Sequence, residues 1–446
     1  MLLALAGAAS LLAAEPRALA SATGRPAPDF YGVNAQAVFS LPPDQWDGQL
    51  SAIRAAGITV VRRDASWDYA EPDPPDPATG AHRYRWDEFD QQVTALARHG
   101  LRWYPIVDYS APWAASSPGD PFSPPAHDAG YAAYAGALAQ RYGRGGAFWR
   151  EHPDVPALPV TSYEIWNEPN FDRFWRPQAG AAARYADLYL NARAALKLVD
   201  PQALVVVGGL VDWDGQAFIR DMYRARPDLR GRVDAVGYHP YHLTAARVEG
   251  SIAELRAALD RLGQRSVPIE VTEVGLAATS PYVESLRARL LSQLAAELPS
   301  AGLGITRLIP HTWVSMPGDA PWGIFNSDGT PRPSEVALAL AIRQLRGLVP
   351  GAAHARVGAT HPPAGRSAAR VRVACRGNAG SCRGRIFLKG RVRSSARPRL
   401  ATIACARFAL RPGAAVVVSL RVHPPAQRRL RRVHRLRALA RGPGRC

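Results

Sequence analysis

Two short acidic strings close apolar runs in this chain. YEIWNEPN at 163–170 carries Trp166, Asn167, Glu168 and Pro169, and PIEVTEVG at 268–275 carries Glu270, Glu273 and Gly275. Two carboxyl groups facing each other, one protonated and one ionised, can cleave a glycosidic bond held between them. Glu168 and Glu273 are 105 residues apart, so that chemistry needs a fold bringing two strand ends to one mouth. Glu270 is the rival in the second string. It lies inside the apolar run, where a glutamate reads as a buried, paired structural residue.

The elements that would position them alternate between strand-like and helix-like. Strand-like runs fall at Phe30–Asn34, Thr59–Asp64, Arg102–Asp108, Ser162–Asn167, Leu204–Gly209, Ala235–His239, Ile269–Glu273 and Arg307–Thr312. Near-continuous apolar runs such as LVVV at 204–207 suit parallel strands buried on both faces. Helix-like stretches separate them: 45–56, 86–99, 131–142, 181–198, 216–224, 252–262, 283–298 and 335–348. Eight such units predict an α/β fold, a (β/α)8 TIM barrel, whose functional residues sit at the C-terminal strand ends. A doubly wound sheet is the alternative, but the first strand is followed by no Gly-rich phosphate turn.

With both motifs and the strand count in place, residues 29–348 resemble glycoside hydrolase clan A, the retaining (β/α)8 glycosidases, in a family 39-like or family 5-like form. The resemblance implies the acid/base on strand four, Glu168, and the nucleophile on strand seven, Glu273. It implies that Asn167 binds the sugar 2-hydroxyl. The string VVRRDASW at 60–67, with YRWDEFDQQV at 84–93, matches a stretch in which an arginine starts the active-site wall. Arg62 holds that place and would keep Glu273 ionised, whereas Arg63 and Asp64 read as structural. GYHPYH at 237–242 sets His239 and Tyr241 on one side of an extended chain, where related families line the sugar site, with His242 outside it. Trp313, after strand eight, holds the place of the clan's aromatic floor. Trp113 and Trp175 would extend the cleft or pack in loops; Tyr109, Trp67 and Trp322 are weaker candidates. His239 and His242 lack a third ligand at zinc-like spacing, so neither metal nor cofactor is expected.

The rest of the chain points to export. Residues 2–14 are apolar and Ala18-x-Ala20 offers a cleavage site, the form of a signal peptide over 1–25. The basic segment that usually precedes such a run is missing, and a buried N-terminal helix is the alternative. The catalytic domain is then 26–348, followed by a Pro/Gly/Ala linker at 349–368. No other run is long enough to span a membrane.

Charge is divided unevenly. Residues 351–446 hold 23 of the 55 Lys and Arg and no Asp or Glu, so the barrel region is mildly acidic and the tail strongly basic. Alternating runs at 369–374, 385–393, 401–410 and 414–422 predict a small all-β, sandwich-like C-terminal domain over 369–446, of four or five strands. The end, 427–442, reads as a last strand or a basic amphipathic helix. All four cysteines lie here, with Cys375–Cys382 and Cys405–Cys446 the expected disulfides.

The function expected is that of a secreted, monomeric retaining glycosidase with a carbohydrate substrate. The tail would contact an anionic cell-envelope or matrix polymer rather than a specific nucleic acid, although so basic a module binds phosphate polymers non-specifically. The rivals are a catalytically silent polysaccharide-binding barrel and an adhesin working through its tail.

Overall fold

In a computed structural model of the chain, the described residues are 25–348 (317 and 319 excepted) and the tail strands given below. The expected signal peptide lies outside them. Eight parallel strands run in sequence order: β1 Gly32–Asn34, β2 Val60–Ser66, β3 Arg102–Asp108, β4 Ser162–Ile165, β5 Leu204–Val211, β6 Ala235–His239, β7 Ile269–Val271 and β8 Ile305–Leu308. A parallel bridge between Tyr31 and Leu308 closes the barrel, with the Leu308 amide donating to the Phe30 carbonyl at 2.8 Å. The strands hold because both faces are apolar and covered. Val205, Val206 and Val207 have no exposed surface, and each such side chain contributes about 1.5–3 kcal/mol of transfer free energy.

The helices cover the outside through one apolar stripe each. In Asp87–Arg98 the buried Phe89, Val93, Leu96 and Ala97 follow helical spacing, and Asp87, Glu88 and Asp90 in the first turn complement the helix dipole. The helix Pro281–Glu297 starts where the Ser280 side chain accepts the Val283 amide at 3.3 Å, with proline at its first position.

Three strands end earlier than the sequence suggested. β4 stops at Ile165 because Trp166 turns into the left-handed region, φ 63°. β7 stops at Val271, and β8 at Leu308, two residues before Pro310, which has no amide to donate. Glu168 and Glu273 therefore sit on the turns beyond their strands.

Below the mouth, the barrel interior carries a buried polar layer. Glu270, 1% exposed, accepts from the Tyr104 hydroxyl at 2.7 Å and from Arg307 Nε at 3.2 Å, and the Arg307 guanidinium lies over the Tyr104 ring at 4.8 Å. This is the structural pairing expected of Glu270.

The tail forms two three-stranded antiparallel sheets, in the orders β13-β10-β9 and β12-β11-β14. Their strands are β9 His354–His361, β10 Ala368–Arg376, β11 Cys382–Val392, β12 Arg399–Leu410, β13 Ala415–Arg421 and β14 Arg437–Arg441. One expectation changes. The stretch read as a linker supplies β9, which pairs antiparallel with β10. Of the two readings left open for 427–442, residues Arg437–Arg441 form the strand, β14, paired with β11. Val371, Val373, Cys375, Ile386, Phe408 and Leu420 are its buried described side chains. Of the expected disulfides, only the Cys375 side chain falls among those described. No helix among the described residues is long and apolar enough to cross a membrane.

Removing one partner from a buried ion pair strands the other charge, at a cost of about 3–5 kcal/mol. Glu270→Ala should therefore destabilise the barrel by that order in urea unfolding; a loss under about 1 kcal/mol would show that Arg307 finds another partner.

Candidate active site

The strand ends converge on one buried guanidinium. Arg62, on β2 and without exposed surface, donates from Nε to Glu164 Oε2 at 2.6 Å, from Nη1 to Glu273 Oε1 at 2.5 Å and from Nη2 to Asn167 Oδ1 at 2.9 Å. One residue thus ties together β2, β4 and both acidic turns. Arg63, next in sequence, points the other way and pairs with Glu88 at 3.0 Å.

Glu273 is 8% exposed and fully ligated. Besides Arg62, its Oε1 faces Asn34 Nδ2 at 3.4 Å, and its Oε2 accepts from the Tyr241 hydroxyl at 2.5 Å. His311 Nδ1 lies 3.5 Å from Oε2 without hydrogen-bond geometry. Burial by itself would raise the carboxyl's pKa. His239, His311 and Arg62, with the Tyr241 hydroxyl, outweigh it and hold Glu273 ionised well below the usual glutamate range.

Glu168, 6% exposed, has a different neighbourhood. Its Oε1 lies 2.6 Å from His239 Nδ1, and His239 Nε2 lies 3.1 Å from Thr272 Oγ1, which is 2.9 Å from Glu164 Oε1. The hydrogen-bond directions follow from what each group can do. The buried Glu164 carboxylate can only accept, so the Thr272 hydroxyl donates to it and accepts the His239 Nε2 proton. The 2.6 Å contact between Nδ1 and Glu168 Oε1 then needs one proton between the two atoms, which either can carry. His239 needs room for this, and Gly209 gives it: a Cβ there would lie 1.9 Å from His239 Nε2.

One oxygen of Glu168, one of Glu273 and a ring nitrogen of His239 lie within 4.8 Å of one another. Such a trio could hold a metal ion. In this trio Glu273 already binds Arg62 and Tyr241, and the His239 nitrogen facing it is hydrogen-bonded to Glu168. The turn carrying Glu168 is strained: Trp166 and Glu168 adopt φ of 63° and 46° without being glycine, at about 1–3 kcal/mol each. Trp166 is pinned by burial and by its indole N–H to the Phe174 carbonyl at 2.6 Å, and the Phe171 amide donates to the Glu168 carbonyl at 2.9 Å.

The structure brings together Glu168, Glu273, Asn167, Arg62, His239 and Tyr241. It does not bring Trp313 to the mouth. That indole is completely buried, donates to Gln49 Oε1 at 2.8 Å and stacks on Phe325 at 4.7 Å. The chain folds back over β1, with the Trp313 amide on the Asn34 carbonyl, which turns the ring into the core. Trp322, half-buried and 5.5 Å from both Tyr241 and His311, holds the position at the mouth instead. A cleft lined by Asn34, Gln36, His311, Ser315 and Trp322 opens there.

Trp113 contacts Trp67, His82 and the Glu71 carbonyl rather than the carboxyl pair. Trp175, 1% exposed, packs on Trp166 and Tyr185. His242 pairs with Asp212 at 2.6 Å, outside the cluster. Asn34, Glu164, Thr272 and His311 were missed. Glu164 alone left a signal, as a glutamate inside an apolar strand whose charge demands a buried cation. A cavity of about 560 Å³ lies between the helices Asp128–Tyr142 and Ala181–Val199 and holds none of these groups.

No family model and no curated protein matches the sequence. Solved structures do match. They include a monomeric beta-xylosidase from Caulobacter crescentus CB15 at 14% identity, covering 89% of this chain and 97% of that one, with a TM-score of 0.54. A GH39 enzyme from Xanthomonas axonopodis pv. citri matches at 16% identity over 90% and 96%, TM-score 0.54. A glucosidase from Croceicoccus marinus matches at 15% over 89% and 93%, TM-score 0.53. The fold is therefore the one those glycoside hydrolases share, a TIM barrel with a small β domain after it.

Tyr241→Phe removes a donor that favours ionised Glu273, so its carboxyl should titrate at higher pH, nearer the ordinary value of about 4.3. A depressed carboxyl pKa contributes stability above the ordinary value that fades as pH falls through the folded one. The variant should therefore lose some of its stability above about pH 4 and depend less on pH below it. Carboxyl ¹³C NMR titration checks the shift, and an unchanged Glu273 would mean the hydroxyl is not a determinant.

Proposed function

We propose that this protein is a retaining glycoside hydrolase, with Glu273 as nucleophile and Glu168 as acid/base. The observation that carries this reading is the contrast between two carboxyl groups that each bring an oxygen within 4.8 Å of the other's. Glu273 is held ionised by Arg62, Asn34 and Tyr241, whereas Glu168 meets a single imidazole nitrogen. Such closeness supports a retaining displacement, for which carboxyl groups stand about 5–5.5 Å apart, over an inverting one at about 6.5–9.5 Å.

Glu273 attacks the anomeric carbon and forms a glycosyl ester as the bond to the leaving oxygen breaks. Glu168 delivers its proton to that oxygen. A water then gives its proton to Glu168 as its oxygen displaces Glu273, restoring both groups and the original configuration. Arg62 draws back part of the charge that Glu273 loses in the first step and regains in the second. Asn167, beside Glu168 and oriented by Arg62, is placed to bind the sugar's 2-hydroxyl. Trp322, Tyr241 and His311 supply the apolar and edge contacts a sugar ring needs. The likeness to xylosidases and a glucosidase makes β-linked xylose and glucose the first sugars to test.

We extend the reading to a secreted, monomeric enzyme with a disulfide-bonded tail. The leader-like N-terminus supports export, and the absence of any acidic residue in the basic tail supports contact with an anionic polymer.

Glu168→Gln and Glu273→Gln should each lower kcat by several orders of magnitude without altering the fold seen by circular dichroism. Azide separates the roles. With Glu273→Gly it should yield a glycosyl azide of inverted configuration, and with Glu168→Gly one of retained configuration. The opposite pattern reverses the assignment, and full activity in either Gln variant removes the mechanism.

A further inference from the structure

A run of aromatic rings on the loops after β3, β4 and β5 plays no part in the chemistry above. Tyr109 meets Phe122 edge-on at 4.7 Å, Phe122 lies 5.9 Å from Phe174, Phe174 lies 6.0 Å from Phe171, and Phe171 meets Trp213 at 5.0 Å. The first four are half-buried, while Trp213 is 65% exposed. Single exposed apolar residues need no explanation, but an indole left in water at the end of a continuous aromatic wall marks a contact surface.

The wall begins at the acid. Tyr109 packs edge-on against Trp166 at 5.3 Å, and Phe171 is tied by its amide to the Glu168 carbonyl. The cleft of Asn34, Gln36, His311 and Trp322 lies on the other side, against Glu273. In a retaining displacement the nucleophile meets the anomeric carbon while the acid meets the glycosidic oxygen. Glu273's cleft therefore takes the sugar that becomes covalently bound, and the aromatic wall lies along whatever departs with the oxygen. The neighbourhood includes the cationic Arg173 over Phe174 at 5.4 Å, suited to hydroxyl groups at the edge of a stacked ring.

We propose that Phe171 and Trp213 form a leaving-group subsite that stacks on a sugar ring, so that the substrate is an oligosaccharide or polysaccharide chain rather than the glycoside of a small alcohol. This rests on the glycosidase reading above. Trp213 is a specificity residue here, acting on the departing sugar and touching neither carboxyl group.

The test compares leaving groups. Wild type and Trp213→Ala are assayed on β-xylosyl and β-glucosyl fluoride, which place nothing in the subsite, and on xylo- and cello-oligosaccharides. The ratio of kcat/KM on oligosaccharide to that on fluoride should fall about tenfold in the variant, the scale of one lost stacking contact. With xylobiose added as acceptor, transfer relative to hydrolysis should fall as well. An unchanged ratio overturns the subsite, and Phe171→Ala gives a second reading on the same wall. If wild type cleaves none of these compounds, the glycosidase reading fails. The surface is then judged by native electrophoresis through gels containing xylan or β-glucan. Retardation lost in Trp213→Ala supports a sugar-stacking surface, whereas an unretarded wild type or equal retardation overturns it.

Discussion

Arg62 is a buried guanidinium whose donors are spent on three acceptors, Glu164 on β4 and Asn167 and Glu273 on the two acidic turns. Burial alone would depress its pKa, but Glu164 and Glu273 raise it well above the ordinary value, so the cation is permanent. It faces two carboxylates, and the site therefore keeps one negative charge inside an apolar barrel. The Thr272 hydroxyl on Glu164 and the Tyr241 hydroxyl on Glu273 spread that charge. Removing Arg62 would leave two buried carboxylates without their counter-charge, a costly state inside the barrel. The same arrangement makes the two glutamates at the mouth different: one is bound to the cation, and the other is reached only through His239.

The second consequence is preorganisation. Glu164, Thr272 and His239 form a fixed chain of donors and acceptors that ends on Glu168, so the His239 ring is oriented with a proton on Nε2 and its Nδ1 facing Glu168. Gly209 leaves the space that this chain occupies, and strained backbone at Trp166 and Glu168 aims the carboxyl across the mouth. These are costs the fold carries at one place, offset by the packing of Trp166 and the barrel below it.

Much of this was legible in the sequence. Apolar runs gave all eight barrel strands, because parallel strands buried on both faces leave a pattern that survives without tertiary information. The carboxyl motifs and the matched Arg62, His239 and Tyr241 marked the cluster. Boundaries were less legible, since β4 and β7 end where the backbone turns to present a glutamate. Trp313 was misplaced because residue type and position suggested a platform, whereas the path back over β1 buried it and brought Trp322 forward nine residues later. Asn34 and His311 reach Glu273 only through barrel closure, a contact between the first and last strands that no local pattern reports. The run at 354–361 was hidden by the prolines and glycines beside it.

The central claim is that Glu273 becomes covalently bonded to the sugar. The most direct measurement is peptide mapping by mass spectrometry after incubation with 2-deoxy-2-fluoro-β-xylosyl and β-glucosyl fluorides, which slow the second displacement and trap the ester. The account predicts a single added glycosyl group on the peptide containing Glu273, none on Glu168, and none when Glu273 is replaced by glutamine. A label on Glu168 or Glu164, or steady turnover of the parent sugar with no trapped adduct, would contradict it.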